Sequence, residues 1–360
     1  MIECIVHEKY YAYHLWQLLS GFTILRDNHI VKIKTIKSTT NLPKLMVRID
    51  INGLRVIFDL NDGYDDFNEA QVDYKSYYSE LLSSHDFIVK RSYSELFNDS
   101  IAGSERIIPL GFYHKSTVNG CFTHKWNSSL DIKTNIDTQL RRIPLSKLEK
   151  SFKSLHHSTF ECTPKISDNP TVLFLTRLWE PNLRHSRSEL KYVTDKMNEE
   201  RHVINQYRVN LVRECRAEFG DRAVAGLSND AFTQKNFPDL ISPSSLTNKF
   251  NYLDKVKSSE ICLSNMGLHQ SNGGKLSEYV AASRAIVSEK LHYKPTGSFR
   301  KNSNYLEFST IDECIDNIRF LMGNPEARYK MMLENFRYYH DYARPDKLAI
   351  NAIFSVLGLK

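Results

Sequence analysis

The stretch from His269 to Glu289, HQSNGGKLSEYVAASRAIVSE, constrains the chain more than any other. It follows an apolar run, ICL at 261–263, that reads as a strand, and polar residues with two glycines lead from there into an amphipathic segment starting at Lys275. A strand, a glycine loop and a helix start make an anion site: the first-turn N–H groups of a helix lack partners, and the helix dipole adds partial positive charge there. Gly273 and Gly274 let a phosphate approach that backbone, and Lys275 adds a full charge. Glu278 shares a helix face with Lys275 and offers a carboxylate that accepts two hydrogen bonds from vicinal hydroxyls, as on a ribose. The set suits a nucleoside diphosphate. The plainer reading makes the glycines a turn, Lys275 and Glu278 a solvated pair, and Tyr279, Val280 and Ala282 core.

At 360 residues the chain is long enough for two domains, each with its own core. Hydrophobic residues make up 41% and charged residues 25%, which excludes disorder on a large scale. A net charge of +6 without any long Lys/Arg block fits an anionic ligand or loose attraction to an acidic membrane surface, and no nucleic-acid partner is expected. The six cysteines are scattered, with neither CxxC nor Cys/His ligand spacing, so they read as buried thiols in a reducing compartment and no structural zinc is expected. No apolar run approaches the roughly 20 residues that span a bilayer, and the N-terminus lacks a basic region followed by an apolar core. The expected location is the cytoplasm, with at most peripheral contact at the inner membrane.

Along the chain, IECIV at 2–6 predicts a strand, 7–19 a helix stopped by Gly21, and IVKIKTI at 30–36 a second strand. Asn52-Gly53 between two alternating runs predicts a hairpin, whose second strand ends in Asp59 and Asp62. A helix at 74–82 and strands at FIV and RIIPLGF complete an α/β pattern, with Lys90, Arg91 and His114 also near strand ends. From 115 to 170 the pattern is poor, and a boundary falls near residue 160. TVLFLTR at 171–177 opens a second unit in which strand and helix alternate, predicting a parallel sheet with crossover helices. Its long helix ends at Gly220. Thr310 with Glu313, and Asn324 with Pro325, mark two further helix starts. Residues 304–307 read as a hairpin-like edge.

The second half resembles the C-terminal domain of GT-B glycosyltransferases, especially bacterial enzymes that build surface polysaccharides. TVLFLTR, the 269–289 segment, NYLEFSTIDECIDNI and NPEARYKMMLENFRYYHDY carry the likeness, over roughly 170 residues. It implies an α/β chain of two Rossmann-like domains facing a cleft: an acceptor-side domain over 1–160, a nucleotide-sugar domain over 161–343, and a last helix, 344–360, packing back on the first. It also implies donor contacts from Arg177, Gln270, Asn272, Gly273, Gly274, Lys275 and Glu278, with Glu278 on the ribose and Arg177 at the diphosphate. Many retaining members carry a second glutamate eight residues before the ribose glutamate, where this chain has Gln270. The rest of the segment is most like retaining members.

The resemblance implies a cytoplasmic enzyme that moves a sugar from a nucleotide-sugar donor to an oligosaccharide or lipid-linked glycan, needing neither cofactor nor bound metal, because helix dipole and basic residues stabilise the leaving diphosphate. If the reaction inverts the anomeric centre, a base for the acceptor hydroxyl would come from Asp59, Asp62, His7 or His114, each of which also reads as structural, and His269 abuts the glycine loop as a further catalytic candidate. Arg177 either reaches the diphosphate or pairs with Glu180, and Trp16, Trp126 and Trp179 either stack on a ligand or pack in the core. Two alternatives remain at this point: a non-catalytic nucleotide- or glycan-binding subunit, suggested by Gln270, and a nucleotide-sugar epimerase.

Overall fold

The computed structural model describes residues 1–8, 13–39, 42–64, 73–121, 156–181, 195–246 and 248–359. Trp126 and the basic loop containing Arg184 and Arg187 lie outside them. The first unit is a six-stranded sheet ordered β2-β1-β3-β4-β5-β6. Its strands are β1 (Ile2–Glu8), β2 (Val31–Lys37), β3 (Met46–Ile51), β4 (Leu54–Asp59), β5 (Phe87–Lys90) and β6 (Ile107–Pro109). Every neighbouring pair is parallel except those of β3, which runs antiparallel to both β1 and β4. The β3–β4 turn uses Asn52 and Gly53 at φ 47° and 87°, the left-handed conformation that the Asn-Gly pair predicts. Helices α1 (Trp16–Asp27), α2 (Tyr74–Ser84) and the single turn α3 (Glu95–Asn98) accompany this sheet.

The second unit is a five-stranded parallel sheet ordered β11-β10-β9-β7-β8. It comprises β7 (Val172–Thr176), β8 (Ala223–Leu227), β9 (Ile261–Ser264), β10 (Ala285–Glu289) and β11 (Leu306–Phe308). Its helices are α4 (Asp195–Phe219), α5 (Ala231–Asn236), α6 (Lys249–Ser258), α7 (Gly274–Ala281), α8 (Ile311–Gly323) and α9 (Pro325–Tyr338). The helix limits follow local chemistry. Gly220, at φ 51°, follows α4. Thr310 Oγ1 accepts from Glu313 N at 3.2 Å to start α8, and Asn324 Oδ1 accepts from Ala327 N at 2.9 Å to start α9.

The chain thus forms two Rossmann-like α/β units facing a cleft. Within the second unit the connection after β7 leads to β8 on one side, and the chain later returns to β9 on the other. The gap between the ends of β7 and β9 is a topological switch point, where open α/β sheets bind ligands.

Two local expectations fail for tertiary reasons. β1 extends to Glu8, and α1 begins only at Trp16 and runs through Gly21 to Asp27. Gly21 is therefore no helix stop: a Cβ there would run into the Pro345 carbonyl and the Ala349 side chain. It is a contact glycine that lets α10 (Pro345–Leu357) lie against α1. Leu348, Ala349, Ala352, Ile353 and Val356 of α10 share one core with Leu15, Leu18, Phe22 and the first sheet. Residues 304–307 form no hairpin either, since β11 pairs parallel with β10 at the sheet edge.

Gly21→Ala is expected to cost about 1–3 kcal/mol by overpacking the α1–α10 contact, seen as a lower urea midpoint. An unchanged midpoint would mean that α10 is not held by this approach.

Candidate functional site

A cleft of about 640 Å³ opens between the two units, within the range of small-molecule sites. The second unit lines it with the end of β7 and Arg177, with the β9 loop through Asn265, Gly267, His269, Gly273 and Gly274, and with Lys275 and Glu278 of α7. Arg208 of α4 and Lys249 and Tyr252 of α6 complete that wall. The first unit contributes Tyr13, His14, Asp62, Arg91, Tyr113, His114 and Lys115. Six cations face only two carboxylates, Asp62 and Glu278, so the cleft carries a surplus of positive charge.

The start of α7 carries no side-chain cap, and the nearest atoms to Cβ positions built on Gly273 and Gly274 lie 3.7 Å away. Helix-terminal amides there have room for a ligand. Behind them Lys275 Nζ donates to the Leu175 carbonyl. Its side chain keeps some solvent contact, yet the amine is enclosed, and burial, reinforced by Arg208, lowers its pKa to about 7. Arg177 is exposed and lies over the Trp179 ring, 4.0 Å from its centroid. Arg208 is buried across the switch point, donating to the Arg177 carbonyl at 2.7 Å and the Met266 carbonyl at 2.9 Å.

Glu278 is the buried carboxylate of the cleft. Lys249 Nζ sits 2.5 Å from its Oε1. Oε2 is buried without a hydrogen-bond partner, as is the hydroxyl of nearby Tyr252. Burial works to raise the pKa of this carboxyl, but Lys249 outweighs it and holds the group below its ordinary value.

The structure separates the remaining sequence candidates. Asp62 lines the cleft and pairs with Arg91. His269 lines it too, in the left-handed region at φ 57°, its N–H donating to Glu200 Oε1 at 2.6 Å and its carbonyl accepting from Tyr293 at 2.8 Å. Asp59, expected as a cleft base, is fully buried. Its carboxylate accepts from Lys90 at 2.9 Å, Tyr78 at 2.5 Å and Asn61 at 2.8 Å, which turns it into the structural core of β4, β5 and α2. Gln270 is exposed, again left-handed at φ 56°, and does not line the cleft. Asn272 instead ties the loop to the Tyr293 carbonyl at 2.8 Å. His7 pairs with Asp50 at 2.9 Å, away from the cleft.

His114 lies at the junction of the units, its Nδ1 2.8 Å from Ser277 Oγ of α7 and its Nε2 buried without a partner. Burial lowers its pKa to about 4. His14 stacks between Tyr13 and Tyr113, with centroids 4.0 and 5.4 Å away. Burial and Arg91 lower its pKa to about 4, and its Nδ1 has no partner. Both imidazoles are neutral at pH 7. His14, Arg208, Lys249 and Tyr252 are absent from the sequence candidates. Only topology gathers them, because each sits in an ordinary amphipathic stretch far from the glycine loop.

Among the described residues, no cluster of His, Cys, Asp and Glu could hold a metal ion, and no helix is long and apolar enough to cross a membrane.

No family model matches the sequence, and no curated protein does. Solved structures similar to this chain include glycosyltransferases and UDP-GlcNAc 2-epimerases. HepE of Anabaena, in complex with UDP and glucose, is 7% identical over 99% of this chain and 98% of its own, with a TM-score of 0.42. WaaG, a glycosyltransferase involved in lipopolysaccharide biosynthesis, is 9% identical over 98% of each chain, with a TM-score of 0.37. UDP-GlcNAc 2-epimerase from Neisseria meningitidis, bound to UDP-GlcNAc, is 14% identical over 84% of this chain and 69% of its own, with a TM-score of 0.38. At these identities and scores, nothing about activity passes from those proteins to this one.

Two outcomes test the site's electrostatics. Asp59→Ala leaves Lys90 buried and uncompensated, and should cost about 3–5 kcal/mol in chemical denaturation; a smaller loss would place the pair nearer water than the fold has it. Lys275 releases its proton near pH 7 in the folded chain and near 10.4 when unfolded. Between those values the unfolded state binds more protons, so stability rises with pH. Lys275→Met should therefore be more stable than the wild type at pH 7, by a margin that narrows toward pH 10. Parallel stability curves for the two proteins would show that the amine is not enclosed.

Proposed function

We propose that the chain is a glycosyltransferase that moves a sugar from a nucleotide-sugar donor to a bacterial surface glycan, carried as an oligosaccharide or on a lipid at the cytoplasmic face of the inner membrane. The observation that carries this reading is Glu278 Oε2: a buried carboxylate oxygen without a partner, in a cationic cleft at a switch point. A nucleoside diphosphate supplies what such a site lacks. Its phosphates meet the start of α7, Lys275, Arg177 and Arg208, and a ribose hydroxyl donates to Glu278.

The same cations and amides stabilise the diphosphate as it leaves, which requires no bound metal. The acceptor occupies the first unit's wall, where Tyr13 and Tyr113 offer aromatic faces and Asp62 and His14 offer proton acceptors. Closure of the two units around both substrates excludes water and limits donor hydrolysis. The likeness of residues 269–289 to retaining members favours retention at the anomeric centre, Gln270 in place of their second glutamate counts against it, and the anomeric proton coupling of the product decides between the two outcomes.

Thermal stabilisation by UDP, GDP, CMP and ADP tests the donor reading. One nucleotide should stand out, giving roughly 2.7 kcal/mol at a hundredfold excess over its Kd. Glu278→Ala should weaken it about 10- to 100-fold through the lost charge-assisted hydrogen bond, and Lys275→Ala should weaken it as well. If no nucleotide moves the melting temperature, the cleft is not a donor site. Release of nucleotide from its sugar conjugate only when a glycan is supplied separates transfer from epimerisation and from simple binding.

A further inference from the structure

Lys249 opens α6, and its ammonium lies 4.7 Å from the Tyr252 ring centroid and 5.4 Å from that of Phe160. Two rings flank it, Glu278 Oε1 lies 2.5 Å away, and its side chain keeps 36% of its exposure where it lines the cleft, against 8% for Glu278. Arg177, Arg208 and Lys275 reach the switch point from the end of β7, from α4 and from the start of α7, and Lys275 Nζ lies 5.6 Å from the same Tyr252 ring, but neither it nor the two arginines bonds to Glu278. Lys249 belongs to the carboxylate.

That pairing changes what Glu278 can recognise. A carboxylate with both oxygens vacant accepts from both hydroxyls of a vicinal diol. Here an ammonium fills one lone pair of Oε1, and Oε2 is buried without a partner. One hydroxyl can donate to Oε2. Its neighbour lies beside Oε1, which keeps one lone pair, and beside the ammonium, which only donates, so that neighbour's oxygen is placed to accept from Lys249. We infer that Lys249 and Glu278 read the two ribose hydroxyls jointly, the carboxylate accepting a hydrogen bond from one and the ammonium donating a hydrogen bond to the other, so that the site selects ribonucleotides against both monodeoxy forms. This rests on the donor-site reading above and adds to it a second specificity residue on a different helix.

The test is titration calorimetry with the nucleoside diphosphate that stabilises the protein most, together with its 2′-deoxy and 3′-deoxy analogues. The wild type should bind each analogue about 10- to 100-fold more weakly than the ribonucleotide. Lys249→Met should bind the ribonucleotide as weakly as the wild type binds one of the analogues, lose nothing further on that analogue, and still reject the other. Glu278→Gln should show the converse pattern. Melting temperatures without ligand check that each variant folds, and Lys249→Gln supplies the same comparison if the methionine variant does not. The inference is overturned if Lys249→Met weakens all three ligands equally, which would assign the ammonium to the phosphates, or leaves all three unchanged. It is also overturned if the wild type does not discriminate among them. Absence of binding by every nucleotide would instead sink the donor-site reading, and this inference with it.

Discussion

The cleft depends on one helix, α1, and on two of its residues. The Gln17 side chain donates to the Ala343 carbonyl at 2.9 Å and accepts from the His114 backbone at 2.8 Å. A single buried amide thus ties together the segment leaving the first sheet and the segment returning to it. One turn later, Gly21 lets Pro345 close against the same helix, so the returning segment cannot drift. His114 then reaches across to Ser277 of α7, linking this anchor to the helix whose start faces the cleft. A neutral amide can satisfy a carbonyl and an N–H at once without the desolvation cost of a charge. That suits a junction buried on both sides.

Two acid–base pairs in the chain use similar chemistry for opposite ends. Asp59 and Lys90 are sealed from water, and Tyr78 and Asn61 supply the hydrogen bonds that a buried pair needs. That pair fixes where β4 and β5 meet α2 and leaves nothing vacant for a ligand. Glu278 and Lys249 line the cleft, and Oε2 of Glu278 is buried there without a partner. The difference lies in the remaining lone pairs. Closed, they hold a fold; vacant in a cationic cleft, they leave room for a ligand to bond. Lys275 stands between these cases, its amine enclosed against the Leu175 carbonyl yet within the field of Arg208 and Arg177. An arriving dianion would favour its charged form.

Most of the second unit is legible because its signals are local. Five parallel strands show as short apolar runs, and the starts of α8 and α9 show as cap residues whose hydrogen bonds span only three positions. The Asn52-Gly53 turn is readable for the same reason. Gly21 reads wrongly because a glycine inside a helix has the same local signature as one that ends it, and only the approach of α10, more than three hundred residues later, decides between them. Asp59 and Asp62 look equivalent near the end of one strand, yet Asp59 closes β4 under Tyr78 of α2 while Asp62 lies in the loop beyond and reaches the cleft.

The glycine loop, Lys275 and Glu278 are contiguous in sequence, so their convergence at a helix start is written in the chain itself. Their partners are not. Arg208, Lys249, His14 and His114 come from four separate segments, and they meet because the sheet order sets β7 beside β9 and because α1 fixes the two units face to face. Sequence alone determined the α/β alternation, the caps and the uncapped, glycine-led helix start within residues 269–289, since these arise from interactions a few residues apart. Tertiary structure decided which carboxylate is sealed, which is left with a vacant oxygen and which cations surround it. Burial and long-range contact set the state of a charge, and neither is encoded within any single stretch.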